Sequence, residues 1–273
     1  MRKAAVQFIC VDAHGSLDGE VYAPAKKSAK PSRDTAAIVE AATTFNSEIP
    51  VAPCTPQPGT KKQVEDALRG QGTPECAVLH LAIRTTHKAG LLVYDDADKT
   101  KVVNLSVSDI VNQMKLRKDC LEFIFVNTSN SCAIAERLVQ EGIVLCALGA
   151  PDKLPHAGYP VMNTFTKYFY MALMGGATAA QSLEAASKKT IEYLENKNLN
   201  PVEEYVYEWL STSGGESMYK IYGDGDILPW NPRKIEGVCP STESLSFLSV
   251  PVRDYISYYE NKSLEAVVLY SEV

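Results

Sequence analysis

Two short stretches carry side chains that can do chemistry where apolar runs end. One is Arg84-Thr85, after Val78-Leu79-His80-Leu81-Ala82-Ile83; the other is Asn127-Thr128-Ser129-Asn130-Ser131, after Phe125-Val126. A hydroxyl or thiol attacks a carbonyl carbon only when it is ionised or when a neighbouring base takes its proton. Ser129 is a nucleophile only if such a base stands beside it. Arg84 cannot be that base, because a guanidinium keeps its proton in a protein. His87, three residues after Arg84, is a candidate base. Cys132, three residues after Ser129, is a candidate nucleophile, or else a core thiol one step into a helix. His80 lies mid-strand among apolar neighbours and reads as a hydrogen-bonded core histidine. Asp12 and His14 sit at a strand end and read as a surface turn, or as a pair near the site.

The elements that must position these residues follow from hydrophobic pattern and punctuation. Residues 4–11 are β-branched and apolar, which predicts a buried strand. Residues 15–33, rich in Gly, Pro, Ser and Lys, read as a long surface loop. Asp34 caps a helix to about Phe45, and Ile49–Ala52 is a short strand. Thr60 and Gln63 form a capping box that starts a helix ending near Gly70. Cys76–Ile83 is a second buried strand. Gly90–Tyr94 and Val102–Leu105 pair as a hairpin across the polar turn Asp95-Asp96-Ala97-Asp98. Ser106 and Asp109 open a helix through Lys115, and Leu121–Val126 has the strongest central-strand signal in the chain.

Residues 132–141 form an amphipathic helix ended by Gly142, whose missing Cβ suits a left-handed cap. Ile143–Leu148 is the next strand. Helices are expected at about 157–174, 178–196 and 201–211, the second opened by a Thr178/Gln181 capping box. Ser217–Tyr222 is the last strand of the domain. Apolar strands without alternation, separated by helices, indicate an α/β fold with a mostly parallel central sheet covered by helices on both faces. In such a sheet the chemistry lies beyond the carboxyl ends of the strands. That is where Arg84 and Ser129 fall.

Composition narrows the function. The 273 residues carry a formal net charge of −6, with 45% hydrophobic and 22% charged residues; this is ordinary for a globular domain. The one dense basic stretch, Lys26, Lys27, Lys30 and Arg33, reads as a solvated loop. No phosphate-neutralising face is present, so nucleic acid is not an expected partner. No apolar run is long enough for a membrane span, and the N-terminus reads as a first strand and not as a signal peptide. Seven cysteines at irregular spacing, with no CxxC, point to reduced thiols and a cytoplasmic protein. No metal or other cofactor is expected. Neither GxGxxG nor a P-loop follows a predicted strand, which weighs against nucleotide binding. After Pro229 several prolines break up the pattern. Residues 1–228 are taken as one domain and 229–273 as an appendage.

Four stretches in order resemble the CHAT family of caspase-like cysteine peptidases. In that family a strand ends His-x-x-Gly-His-Gly and a Gly-Leu hairpin follows; here the chain has His80-Leu81-Ala82-Ile83-Arg84-Thr85 and then Gly90-Leu91. The family's Phe-Leu-Asn-x-Cys-x-Ser is similar to Phe125-Val126-Asn127-Thr128-Ser129-Asn130-Ser131. The helix Pro160–Leu173 is similar to the one around its Phe-Tyr-x-x-Leu, and Tyr222-Gly223-Asp224 to its terminal Tyr-Gly-Asp. The resemblance spans about 220 residues, from the first strand to Asp226. It implies a caspase-like three-layer α/β fold.

The resemblance also implies that Arg84 and Ser129 stand where active members have the catalytic histidine and cysteine, with Ile83 and Thr85 replacing the flanking glycines. It therefore points to a catalytically inactive pseudo-peptidase that binds, scaffolds or regulates a protein partner or a second copy of itself. Arg84, Thr85, Ser129 and Asn130 would line the remaining crevice. Arg84 either plugs it by pairing with a nearby acid or offers its fork to a carboxylate or phosphate. The alternative is a hydrolase that uses Ser129 or Cys132 with His87.

Overall fold

The structure is a computed structural model, and it describes residues 6–24, 32–45, 51–53, 59–70, 76–151, 159–212 and 217–229. In chain order the strands are Val6–Val11 (β1), Gly15–Leu17 (β2), Glu20–Tyr22 (β3), Val51–Pro53 (β4), Val78–Ile83 (β5), Leu91–Tyr94 (β6), Val102–Leu105 (β7), Phe123–Val126 (β8), Cys146–Gly149 (β9) and Lys220–Gly223 (β10). The helices are Ser32–Phe45 (α1), Lys61–Leu68 (α2), Val107–Met114 (α3), Cys132–Gln140 (α4), Tyr159–Met174 (α5), Ala179–Glu195 (α6) and Pro201–Thr212 (α7).

The unbroken apolar runs become strands buried on both faces, as non-alternating patterns do. Six strands form one sheet in the order β10-β9-β8-β5-β1-β4. All neighbours are parallel except β10, which runs antiparallel to β9. Successive residues of β8 serve opposite layers. Phe123 and Phe125 join a core with α1, α5, α6 and α7, while Ile124 and Val126 join one with α2, α3 and α4. This is the three-layer α/β arrangement expected from the sequence. Phe125 is its densest point on the first face, with ring contacts to Phe165, Phe169, Tyr170 and Tyr219.

Local signals set the helix starts. The capping boxes at Thr60/Gln63, Ser106/Asp109 and Thr178/Gln181 all form, each reciprocally satisfying exposed backbone donors. Gly142 takes φ +64 just beyond α4. The hairpin β6–β7 forms its own two-stranded sheet beside the main one.

Three expectations change. Residues 15–24 are not loop alone, because β2 and β3 pair as an antiparallel hairpin. Asp34 does not cap α1 but lies inside its first turn, buried, with its carboxylate directed at His80. The strand expected over Ile143–Leu148 begins at Cys146. The basic residues Lys26, Lys27 and Lys30, and the appendage beyond Pro229, lie outside the described residues.

Candidate functional site

The ends of β5 and β8 meet. The parallel register Leu81↔Val126 continues through a hydrogen bond from Asn127 N to the Leu81 carbonyl at 2.8 Å. Beyond Asn127 the chain leaves the strand and turns at Thr128–Asn130. Thr85 binds the two ends together: its amide donates to Thr128 Oγ1 at 3.3 Å, and its hydroxyl donates to the Ser129 carbonyl. Thr85 and Ser129 are 1% and 3% exposed, so a solvent-borne carbonyl does not reach the Ser129 hydroxyl in this conformation.

The turn that presents Ser129 is held by Ser131. That hydroxyl accepts from the Ala150 amide at 2.8 Å and gives its one proton to the carbonyl of Val126 or Thr128. Asn130 takes φ +55, a left-handed conformation that asparagine tolerates, and its amide donates to the Pro151 carbonyl. Ser129 and Asn130 are thus fixed by the β8–α4 turn and by the end of β9.

Arg84 is partly buried at the end of β5. Its Nη1 donates to the Ala23 carbonyl at 2.7 Å, and its Nε is buried without an acceptor. Among the described residues no carboxylate lies within ion-pair distance of it. His87 is exposed on the following loop, with Nδ1 3.3 Å from Glu20 on β3. Burial, with the hydrogen bond to Glu20, pushes the neighbouring Tyr22 phenol above its ordinary range.

Cys132 is half-buried at the start of α4. Its Sγ lies 3.5 Å from the Gly149 carbonyl, and it also meets the Tyr222 hydroxyl. None of the three described histidines bonds to Ser129 or Cys132. His80 spends Nε2 on Asp34 and Nδ1 on Tyr170. His14 turns Nδ1 to Asp12 and Tyr94, and His87 faces Glu20. Thr85 meets Thr128 and Ser129, whereas Arg84 turns to Ala23, the Asn130 backbone amide to Pro151, His87 to Glu20 and Cys132 to Gly149 and Tyr222.

Beneath the strand ends lies a buried polar network that sequence reasoning did not assemble. Asn127 Nδ2 donates to Asp34 Oδ2 at 2.5 Å and to Thr166 Oγ1 at 2.9 Å, and the Tyr219 hydroxyl donates to Asn127 Oδ1. His80 completes it. The signal was the Asn127 of the strand-end motif, two residues before Ser129. A buried amide with four hydrogen-bonding sites must find partners. Among the described residues no cluster of three or more His, Cys, Asp or Glu suits a metal ion, and no helix is long and apolar enough to cross a membrane.

No protein-family model matches the chain, and no curated protein does. Solved structures do. The chain is similar to the complex of the RgpB pro- and mature domains of Porphyromonas gingivalis, with a TM-score of 0.46 and 12% identity over 83% of this chain and 48% of that one. It is similar to a secreted C11 cysteine protease of Bacteroides thetaiotaomicron, with a TM-score of 0.45 and 11% identity over 73% and 60%. For the Drosophila initiator caspase Dronc the TM-score is 0.39, with 9% identity over 81% and 80%. The chain thus spans about half the length of the first of these and three fifths of the second. The likeness concerns the course of the backbone; the activities are those proteins' own.

Proposed function

We propose that this chain is a non-catalytic member of the caspase-like peptidases, related to the CHAT family, that acts by binding a protein partner or a second copy of itself in the cytoplasm. One observation carries this reading. Arg84, at the strand end where an active relative would hold its histidine, fastens its guanidinium to the Ala23 carbonyl, and Ser129 is buried. A permanently protonated side chain beside a hydroxyl makes no nucleophile. The nearest imidazole along the chain, His87, is turned to Glu20. What remains is the end of a sheet with Arg84 and Asn130 partly exposed above a buried Thr85 and Ser129, a surface for recognition and not for chemistry.

The test is a paired assay on the full chain. Purified protein is incubated with a casein substrate library, and separately with a fluorophosphonate and an alkyne-tagged thiol electrophile. The expected result is no cleavage and no stoichiometric labelling at Ser129 or Cys132. Cleavage abolished by Ser129→Ala or Cys132→Ala, and by His87→Ala, would overturn the reading in favour of a hydrolase.

A further inference from the structure

The β2–β3 hairpin is fastened to the loop after β5 by three polar contacts in a row. Arg84 Nη1 donates to the Ala23 carbonyl at 2.7 Å, His87 Nδ1 lies 3.3 Å from Glu20 Oε2, and Lys88 Nζ lies 2.7 Å from Asp18 Oδ2. β2 also lies against β7, and Leu17 packs on the core below. Tyr22 is buried in the core below it, and its phenol donates to Glu20 at 2.6 Å. Gly15 lies against Val102, where an added Cβ would come within 3.2 Å of its side chain. Val21, by contrast, is 81% exposed. The turn Asp18-Gly19 is open to solvent.

The three fasteners differ in strength. Lys88–Asp18 and His87–Glu20 are exposed, and pairs of that kind contribute little. Lys88 does hold the Asp18 carboxyl below its ordinary range, so the pair is in place at neutral pH. Arg84 is the partly buried fastener and the one next to Thr85, which ties the ends of β5 and β8 together. Yet its bond is to a neutral carbonyl, and its Nε has no acceptor. A carboxylate can take two parallel bonds from the guanidinium fork and adds opposite charge, where the Ala23 carbonyl takes one bond. An arriving carboxylate therefore competes well for this arginine.

We propose that the β2–β3 hairpin is a lid over the strand ends, that Arg84 is its bolt, and that a carboxylate-bearing ligand draws the bolt by taking Arg84 from the Ala23 carbonyl. This deepens the binding reading above and rests on it. The opened lid offers Arg84 and Thr85, with Ser129 alongside, to the ligand.

Hydrogen–deuterium exchange on the full chain tests it, read at residues 15–23. Arg84→Ala is expected to speed exchange there by about tenfold, the loss of one charge-assisted hydrogen bond, with β5 and β8 unchanged. Acetylated tetraglutamate or glutarate is expected to speed it in the native protein, tetraglutamine is not, and neither acid is expected to act further on Arg84→Ala. The two acids separate a peptide ligand from a free small acid. Unchanged exchange in Arg84→Ala overturns the bolt, and no response to either acid overturns the carboxylate trigger. Should Arg84→Ala fail to fold, a charge swap serves. Asp18→Lys is expected to speed exchange modestly, and Asp18→Lys with Lys88→Asp to restore it; failure to restore overturns the fastening. Cleavage of the peptide, followed by mass in the same samples, would sink the non-catalytic reading without touching the exchange result.

Discussion

His80 Nε2 lies 3.0 Å from Asp34 Oδ2 in the interior, with no solvent at either side chain. The carboxylate oxygen also accepts from Asn127 Nδ2, while the other oxygen, Oδ1, is buried without a donor. The pair thus links α1, β5 and the residue two places before Ser129. Removing one partner from a buried polar pair leaves the others unsatisfied, and that costs more than the pair contributes. Asp34→Ala is expected to destabilise the chain by about 3 kcal/mol. Asp34→Asn, which keeps one acceptor, is expected to lose clearly less. Urea unfolding followed by circular dichroism decides; equal midpoints for the native chain and Asp34→Ala would show that the network holds nothing.

Buried acids that keep their protons make the fold sensitive to base. Burial, with the Asp224 carboxylate nearby, pushes the Cys146 thiol up to about 12 from its ordinary value near 9.0. Burial also raises the Cys76 thiol and the Tyr170 phenol. The unfolded chain releases these protons first, so between the two values the folded state holds more of them. The Cys146 contribution is complete below about pH 9 and is lost as pH rises toward 12; the other two act in the same direction. The urea midpoint is expected to fall between about pH 8 and about pH 10.5, with a smaller fall in Cys146→Ala. A flat profile would contradict the burial of these groups.

Exposure also orders the thiols, because only an accessible thiolate reacts with an alkylating agent. Cys120 and Cys132 are part-exposed, whereas Cys10, Cys76 and Cys146 are buried. Iodoacetamide is expected to modify Cys120 and Cys132 in the native protein, and the other three only on unfolding. Peptide mapping after a timed quench gives the order. Early modification of Cys146 would mean that β9 opens readily.

Much of this was legible because it depends on neighbours in sequence. Capping boxes need residues three apart, and the β8 run Phe123-Ile124-Phe125-Val126 announces a strand buried on both faces. The end of that strand was legible too, because a buried strand must stop where polar residues begin, at Asn127. The hairpin was not read, although its signal is present. Asp18-Gly19 is a two-residue turn with φ +53 and +86, both positive as a tight hairpin with right-handed strand twist requires. Three-residue strands with polar partners hid it. Asp34 reads in the sequence as a helix cap, because its true partners lie 46 and 93 residues away and only tertiary packing brings them together. The same holds for the Arg84–Ala23 bond, 61 residues apart.

Gly90 shows why a glycine opens the β6–β7 hairpin. A Cβ there would run into Asn104 Oδ1 and come within 2.5 Å of the Leu105 carbonyl. Asn104 Oδ1 already accepts from the Thr86 hydroxyl at 2.7 Å, and the Thr86 amide donates to the Gly90 carbonyl at 2.8 Å. Gly90→Ala is expected to cost about 2 kcal/mol, as overpacking does. Adding Asn104→Ala should recover only part of that, because the Leu105 carbonyl is backbone and cannot turn away. Full recovery in the double variant would place the whole clash on the Asn104 side chain.

Ser129→Cys separates a missing nucleophile from a missing acid. The substitution places a thiol just past the end of β8. A thiolate alone does not cleave an amide, because the leaving nitrogen must receive a proton and Arg84 does not release one. The site is also 3% exposed. Ser129→Cys is therefore expected to fold, to react with iodoacetamide more slowly than Cys132, and to cleave no casein. Casein gels and peptide mapping read the two outcomes separately. Cleavage that disappears when His87→Ala is added would mean that the loop after β5 swings its imidazole away from Glu20 to Ser129, and that the chain lost its nucleophile but kept its base.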